Sequence, residues 1–392
     1  MSLRHWLQLS LTEGIGPILA RRLTEAAGGI EAACEAPVSL LRQLDRVGPA
    51  KAAEIHRSLR EAKDAVEKEL ELARRLGISL ICPDDEAFPA LLRTIPDPPL
   101  VLYMKGAMEP RDLNGFAIVG SRKCSHYGRE QAERFAALLA GAGFTVVSGG
   151  ARGIDSAAHR GAMAHPQGRT VAVTGSGLDV PYPPENASLF EQIANGKGAV
   201  LSEFALGTPP NKENFPRRNR VVSGMSRGVL VVEADEKSGA LITARVACDD
   251  HDRPVFALPG RVDNPLSAGP HLLIRDGAII TTKLEDIVAG LGPVPQGVRE
   301  PMLFPESETA ESVASESSRE TSSTAASSGG LSERQQLILS GIGTDSADVD
   351  TIVERTSLPA HVVLQELTFL SLKGQLRRVD GQTYARRNGS NR

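Results

Sequence analysis

The sequence has no cysteine framework. Cys34, Cys82, Cys124 and Cys248 lie far apart and form no CxxC pair. Neither a disulfide scaffold nor a zinc ribbon organises the chain, and the four read as free thiols of a reducing cytosol. Nor is there an excess of positive charge. The formal net charge of −4 over 392 residues excludes a uniformly basic nucleic-acid coat, so polyanion binding has to come from local clusters of Arg and Lys. No apolar run approaches the roughly 18 residues of a membrane span, and Met1 to Gly16 lacks the charged-then-apolar order of a secretion signal. The expectation is a soluble, cytoplasmic protein that engages no membrane. G-x-x-x-x-G-K-[ST] is missing, so nothing suggests a P-loop motor. No G-x-G-x-x-G follows the first strand of the central region, which weakens a dinucleotide dehydrogenase.

What is present is a long alternation of apolar strands and helices. Runs at 116–119, 144–147, 170–173, 198–201, 228–232 and 254–258 are apolar and β-branched, with 277–280 as a last edge, and helical stretches such as 129–142, 154–163 and 240–249 separate most of them. Strands that apolar are buried on both faces, which predicts an α/β fold: a Rossmann-like, doubly wound parallel sheet covered by helices. Its binding site belongs beyond the carboxyl ends of the strands.

The residues at those ends are small and polar. The strands run into Gly120-Ser-Arg-Lys123, Ser148-Gly-Gly-Ala-Arg-Gly-Ile-Asp155, Thr174-Gly-Ser-Gly-Leu-Asp179 with Tyr182-Pro-Pro-Glu-Asn186, and Glu233-Ala-Asp235. Such turns let a backbone approach a phosphate and aim helix N-terminal amides at it. Then comes Phe215-Pro-Arg-Arg-Asn-Arg-Val-Val-Ser-Gly224, with Pro216 suited to a first helical position and Val221, Val222 and Met225 spaced to face a core. Lys212, Arg217, Arg218, Arg220 and Arg227 stand against Glu213 alone in this stretch. Cations near the positive end of a helix stabilise little without an anion, so the arginines point to a phosphate ligand. Phe215, beside them, is the ring best placed to stack on a base. Tyr127 and Tyr182 are open to the same use or to partial core packing. Asp155 and His159 stand four residues apart but supply only a pair where a metal needs three or four ligands. They read as helix-face or loop-bracing groups, and neither a metal nor a cofactor is expected.

The flanks differ. Residues 1–76 form a small helical domain in which Gly14-Ile-Gly-Pro17 and Val47-Gly-Pro-Ala-Lys51 each precede a helix, followed by a charged helix at about 58–76. These units resemble helix–hairpin–helix or SAM-like modules, whose loop amides touch a DNA phosphate, but a plain packing domain with glycine turns fits equally. Residues 77–290 make the Rossmann-like core. Residues 291–330 are a Ser/Glu/Thr/Ala-rich linker, read as disordered. Residues 331–387 hold three helices (331–341, 348–356, 360–373) and a hairpin (374–384), a winged-helix-like domain. His361, Gln365 and Lys373 give its third helix a poor groove-reading face, so a protein contact is as good a reading as a DNA contact.

Together these residues resemble the DNA-processing protein A (DprA/Smf) family. The match runs in order from Tyr103 with Lys105-Gly106 through Val119-Gly-Ser-Arg122, Tyr127-Gly128, the 148–155 loop with Ala158-His159, Gly175–Asp179, Tyr182-Pro183 and Asn186. It continues through Ser202-Glu203, Phe215-Pro-x-Arg218-Asn219-Arg220, Glu233-Ala, Ser238–Leu241 and Pro259-Gly260. The resemblance implies a recombination mediator, not an enzyme. It would bind single-stranded DNA, protect incoming strands, act as a homodimer and help load the RecA recombinase in natural transformation or homologous recombination. By the same resemblance Ser121, Arg122, Gly149, Gly150, Lys212, Phe215, Arg218, Asn219 and Arg220 would line the strand-binding pocket. Two rivals stand beside it. Nucleotide phosphoribohydrolases share the fold in outline, but Ser238-Gly-Ala-Leu-Ile-Thr-Ala244 lacks their glutamate. A transcription regulator would use the C-terminal domain on duplex DNA.

Overall fold

The computed structural model describes residues 2–292, 333–342, 346–356, 358, 363, 367, 370, 376–378 and 383–386. The 293–330 part of the linker, most of the third helix of the C-terminal domain including His361, Gln365 and Lys373, and the hairpin turn lie outside the described residues. The chain divides into two compact units, Met1–Glu306 and Ser307–Arg392, and each is described by itself.

The first unit opens with five helices, α1 (Ser2–Leu11), α2 (Pro17–Ala27), α3 (Ile30–Cys34), α4 (Val38–Leu41) and α5 (Pro49–Arg75). Both glycine turns do what their sequence asks: Gly16 and Gly48 precede helices that start on Pro17 and Pro49, where the missing N–H is no loss. The charged stretch is not a separate helix. With no Gly or Pro between Pro49 and Gly77, α5 runs unbroken for 27 residues. Its Ile55 and Leu59 pack with Leu9, Leu23 and Leu41, while Val66 and Ala73 join Val101 and Tyr103 of the sheet edge. Tyr103 donates its hydroxyl to Glu69 at 2.8 Å.

The sheet contains β1 (Ser79–Ile81), β2 (Leu102–Gly106), β3 (Gly115–Val119), β4 (Thr145–Ser148), β5 (Arg169–Val173), β6 (Gly198–Ser202), β7 (Val229–Val231), β8 (Val255–Ala257) and β9 (Ile279–Ile280). Their order is β1-β2-β6-β5-β4-β3-β7-β8-β9. The pairs from β6 to β9 are parallel, and β2 and β1 are antiparallel additions at one edge. Successive side chains go to opposite faces. Ala117, Val119, Val171 and Val231 meet α10 (Asn214–Gly224) and α11 (Gly239–Asp249). Phe116, Ile118, Leu230 and Phe256 meet α7 (His126–Gly141), α8 (Ile154–Ala164) and α13 (Leu284–Leu291). The doubly wound expectation holds, because both faces of the strands are covered. Between them the chain adds α6 (Ala90–Arg93), α9 (Ala187–Gln192) and α12 (Ala268–Arg275).

β3 lies at the centre. The chain builds outward through β4, β5 and β6, then returns to place β7 on the other side of β3. At such a reversal the loops beyond the carboxyl ends part and leave a crevice.

In the second unit α14 (Glu333–Ile342) and α15 (Val349–Thr356) accompany an antiparallel sheet of β10 (Ser346–Asp348), β11 (Leu376–Arg378) and β12 (Thr383–Arg386), in the order β10-β12-β11. Ile338, Ile352, Leu367, Leu370 and Tyr384 form its core. This is a winged-helix domain. The strand β10, ahead of α15, is the feature the sequence pattern does not reveal.

Candidate nucleic-acid interface

A cleft opens beyond the carboxyl ends of β3, β4 and β5, lined by Arg122, Gly149, Ala151, Arg152, Gly175, Tyr182, Pro183, Phe215 and Arg218. Four of the nine residues expected from the sequence, Arg122, Gly149, Phe215 and Arg218, therefore meet here.

Phe215 is the centre of the arrangement. α10 begins at Asn214, so Pro216 is its third residue, not its first, still within the turn whose N–H groups lack helical partners. Asn214 is buried and donates to the Gly175 carbonyl at 3.1 Å, which fixes the helix start against the loop after β5. The ring then has the Arg122 guanidinium carbon 4.8 Å from its centroid and that of Arg218 6.0 Å away. Tyr182 packs on it at 5.8 Å, tilted by 51°. Cations over an aromatic face are attracted by its quadrupole, so the ring holds the guanidinium groups together before any ligand arrives.

Arg218 is buried, 4% exposed, and its Nε has no hydrogen-bond partner. Its guanidinium occupies the space where a Cβ of Gly149 would be, so any side chain at 149 would displace the guanidinium from this position. Burial lowers its pKa to about 10, with Arg122 acting in the same direction and Asp155 against them. Asp155, buried on the first turn of α8, is pushed up by the same burial and pulled down by Arg218. A buried cation with an incompletely satisfied donor set is poised for an anion. Gly150, at φ +65°, gives the β4 loop its turn, and its carbonyl accepts from Asn186 Nδ2 at 2.8 Å.

The other expected residues lie elsewhere. Ser121 is buried under the loop after β3, with its Oγ accepting from the Lys123 amide at 3.1 Å. Asn219 reaches the Gly239 carbonyl at 3.3 Å. Lys212 is exposed in the loop before α10. Arg220 turns away altogether: its Nε is 3.2 Å from Asp97, its Nη1 donates to the Asp97 carbonyl at 2.7 Å, and its Nη2 pairs with buried Glu203. Arg217 is exposed, 5.2 Å from the Phe204 ring. The charged cleft residue missing from the expected set is Arg152, inside a loop that the sequence singles out.

His159 is anchored inside the fold by one ring nitrogen. Its Nδ1 meets Thr170 Oγ1 at 2.6 Å, and that hydroxyl donates onward to the Val146 carbonyl, so Nδ1 carries the proton. Among the described residues no group of three or more His, Cys, Asp or Glu converges as a metal site would require.

One helix end is already filled. Glu233, 2% exposed, accepts from the Ser125 amide at 2.8 Å and the Ser125 hydroxyl at 2.6 Å. Its carboxylate sits against Gly128 in the first turn of α7, where a Rossmann dinucleotide site would hold its pyrophosphate.

Fold and cleft define a doubly wound α/β protein with a cationic, aromatic cleft at the carboxyl edge of its sheet. Residues 79–292 match the family described as DNA recombination-mediator protein A, and residues 322–382 match the DprA winged helix domain. Protein Smf of Synechocystis sp. is 39% identical over 295 residues, spanning 74% of this chain and 73% of that protein. DNA processing protein DprA of Streptococcus pneumoniae is 42% identical over 205 residues, 52% of this chain and 71% of its own. The X-ray structure of the Streptococcus pneumoniae protein superposes with a TM-score of 0.62 at 34% identity, over 72% of this chain and 95% of that one. The chain belongs to the DNA-processing protein A (DprA/Smf) family. No helix among the described residues is long and apolar enough to cross a membrane.

Proposed function

We propose that this protein is a cytoplasmic mediator of recombination that binds single-stranded DNA, shields it, and helps load RecA in transformation or homologous recombination, acting as a homodimer. The observation that carries the reading is the grouping of Arg122 and Arg218 on the Phe215 ring in one cleft. Guanidinium groups take phosphates, and a ring takes a base only when that base is unpaired. Duplex DNA offers no free base face to a recessed ring. The family's own description, a DNA recombination mediator, agrees with this chemistry. Glu233 supports a binding protein over a nucleotide-processing enzyme, since its carboxylate holds the helix end that a nucleotide phosphate would need.

Fluorescence anisotropy with labelled single strands and the matched duplex tests the reading, using wild type, Arg122→Ala and Phe215→Ala. Tight binding to the single strand and weak binding to the duplex are expected, with a loss of ten-fold or more in each variant. About three to five neutralised phosphates give a log–log salt slope of about −2 to −3.5. Equal affinity for both forms, or a slope near zero, removes the function and leaves the fold. Loading is then read as faster RecA filament growth on strands coated with a single-strand-binding protein.

A further inference from the structure

Arg152 stands on the rim of the cleft, in the loop after β4, with its guanidinium paired to the Glu185 carboxylate. Both side chains are about half exposed, 49% and 50%. Tyr182, which packs on Phe215, lines the same cleft as Arg152. Glu185 lies in the short turn Pro184–Asn186, and that turn is pinned. Asn186 is buried and donates to the Gly150 carbonyl at 2.8 Å and to Ser156 Oγ at 2.8 Å. The carboxylate is therefore held in place by the same loop that carries the arginine.

Two of the three cleft arginines thus feel a carboxylate of the chain itself, Arg152 in direct contact and Arg218 through its field, and the two carboxylates differ in kind. Asp155, 6% exposed, is buried in the first turn of α8 and acts on Arg218 from inside the fold, where a ligand does not compete with it. Glu185 is at the surface, and surface ion pairs contribute little because water and salt compete for both partners. A phosphate that took Arg152 would return Glu185 to solvent at small cost.

We propose that Arg152 is a third phosphate ligand of the strand and that Glu185 is its exchangeable counter-ion, holding it aimed into the cleft until a strand phosphate replaces the carboxylate. This rests on the single-strand reading above. An isolated anion has to compete with Glu185 for one arginine. A strand already held by Arg122 and Arg218 presents its next phosphate at high effective concentration and wins the exchange. The pair therefore favours a continuous polyanion over small free anions.

Glu185→Gln, Arg152→Gln and the double variant separate the roles, with anisotropy on a labelled single strand across a salt series. Glu185→Gln is expected to tighten binding about three- to ten-fold with the salt slope unchanged. Arg152→Gln is expected to weaken binding and to flatten the slope by about 0.7, the share of one phosphate on a single strand. In the Arg152→Gln background the gain from Glu185→Gln should fall below two-fold. An equal gain in both backgrounds would reduce Glu185 to general repulsion and overturn the exchange; so would no gain at all. Thermal stabilisation by tripolyphosphate gives an arm independent of DNA: it should be larger for Glu185→Gln than for wild type. If wild type ignores single strands but this difference appears, the functional reading fails and the exchange stands. If strands bind but neither difference appears, the exchange alone fails.

Discussion

The Arg218 guanidinium lies against the Gly149 backbone in the volume that any side chain at 149 would fill. The position of the guanidinium thus depends on an absence of atoms on the neighbouring loop. Gly149→Ala should force the guanidinium off the Phe215 face, weakening single-strand binding about ten-fold or more. Inserting a methyl group into a packed site costs roughly 1–3 kcal/mol, so urea unfolding should show a loss of that size. A variant that binds like wild type would show that Arg218 does not need this position to hold the strand.

Arg220 is expected to behave in the opposite way. Its side chain is 9% exposed and Glu203 is 5% exposed, so Arg220→Ala leaves a buried carboxylate without its partner. Removing one member of a buried pair costs roughly 3–5 kcal/mol. Chemical denaturation should register that loss, and Arg220→Met combined with Glu203→Leu should recover most of it. Arg220→Ala with full stability and impaired strand binding would instead return Arg220 to the cleft.

The difference between Arg218 and Arg220 was present in the sequence as spacing. Two positions on a helix are separated by about 200° of rotation, so one of the pair had to face away from any single ligand. The basic run alone conceals this. Arg122 and the glycine turns were legible because strand periodicity places them at carboxyl ends, and Phe215 because it opens the helix that carries the arginines. The two glycine–proline turns likewise announced α2 and α5, though the charged tail of α5 read as a separate helix because its apolar spacing thins out. Arg152 was not legible as a ligand. Its place depends on the loop after β4 meeting the 184–186 turn through Asn186, a contact across more than thirty residues that no local pattern encodes. The same is true of Glu233, whose partner Ser125 is 108 positions away.

His159 should give the fold a pH dependence of known sign. Burial, reinforced by Arg218 and Arg160, lowers its pKa from 6.5 to about 3. Between those values the unfolded chain binds a proton that the folded one does not, so stability rises with pH. The contribution is complete above about pH 6.5 and is lost as pH falls towards 3, at up to about 1.4 kcal/mol per pH unit. Asp155 and Glu203, both raised by burial, act in the opposite sense, so the comparison has to be with a variant. His159→Asn keeps a donor for Thr170 and removes the titration. Its unfolding free energy should fall less steeply than that of wild type between pH 6.5 and 4.5. Parallel curves would assign the acid sensitivity elsewhere.

Glu233 tests whether the fold's phosphate site is closed by the chain's own carboxylate. In Glu233→Ala the Ser125 amide and hydroxyl lose their acceptor at the positive end of α7. Hydrogen bonds to a charged group contribute about 1.5–3 kcal/mol each, and an unfilled helix N-terminus attracts anions. The variant should therefore melt several degrees lower, and inorganic phosphate should stabilise it more than it stabilises wild type, restoring part of the loss. Strand binding in the part that stays folded should weaken less than in Arg122→Ala, because Glu233 braces the loop that carries Arg122 while Phe215, Arg218 and Gly149 stand on other elements. If phosphate stabilised both proteins equally, the helix end would have no vacancy for Glu233 to fill. The nucleotide-enzyme reading would then lose its strongest structural objection.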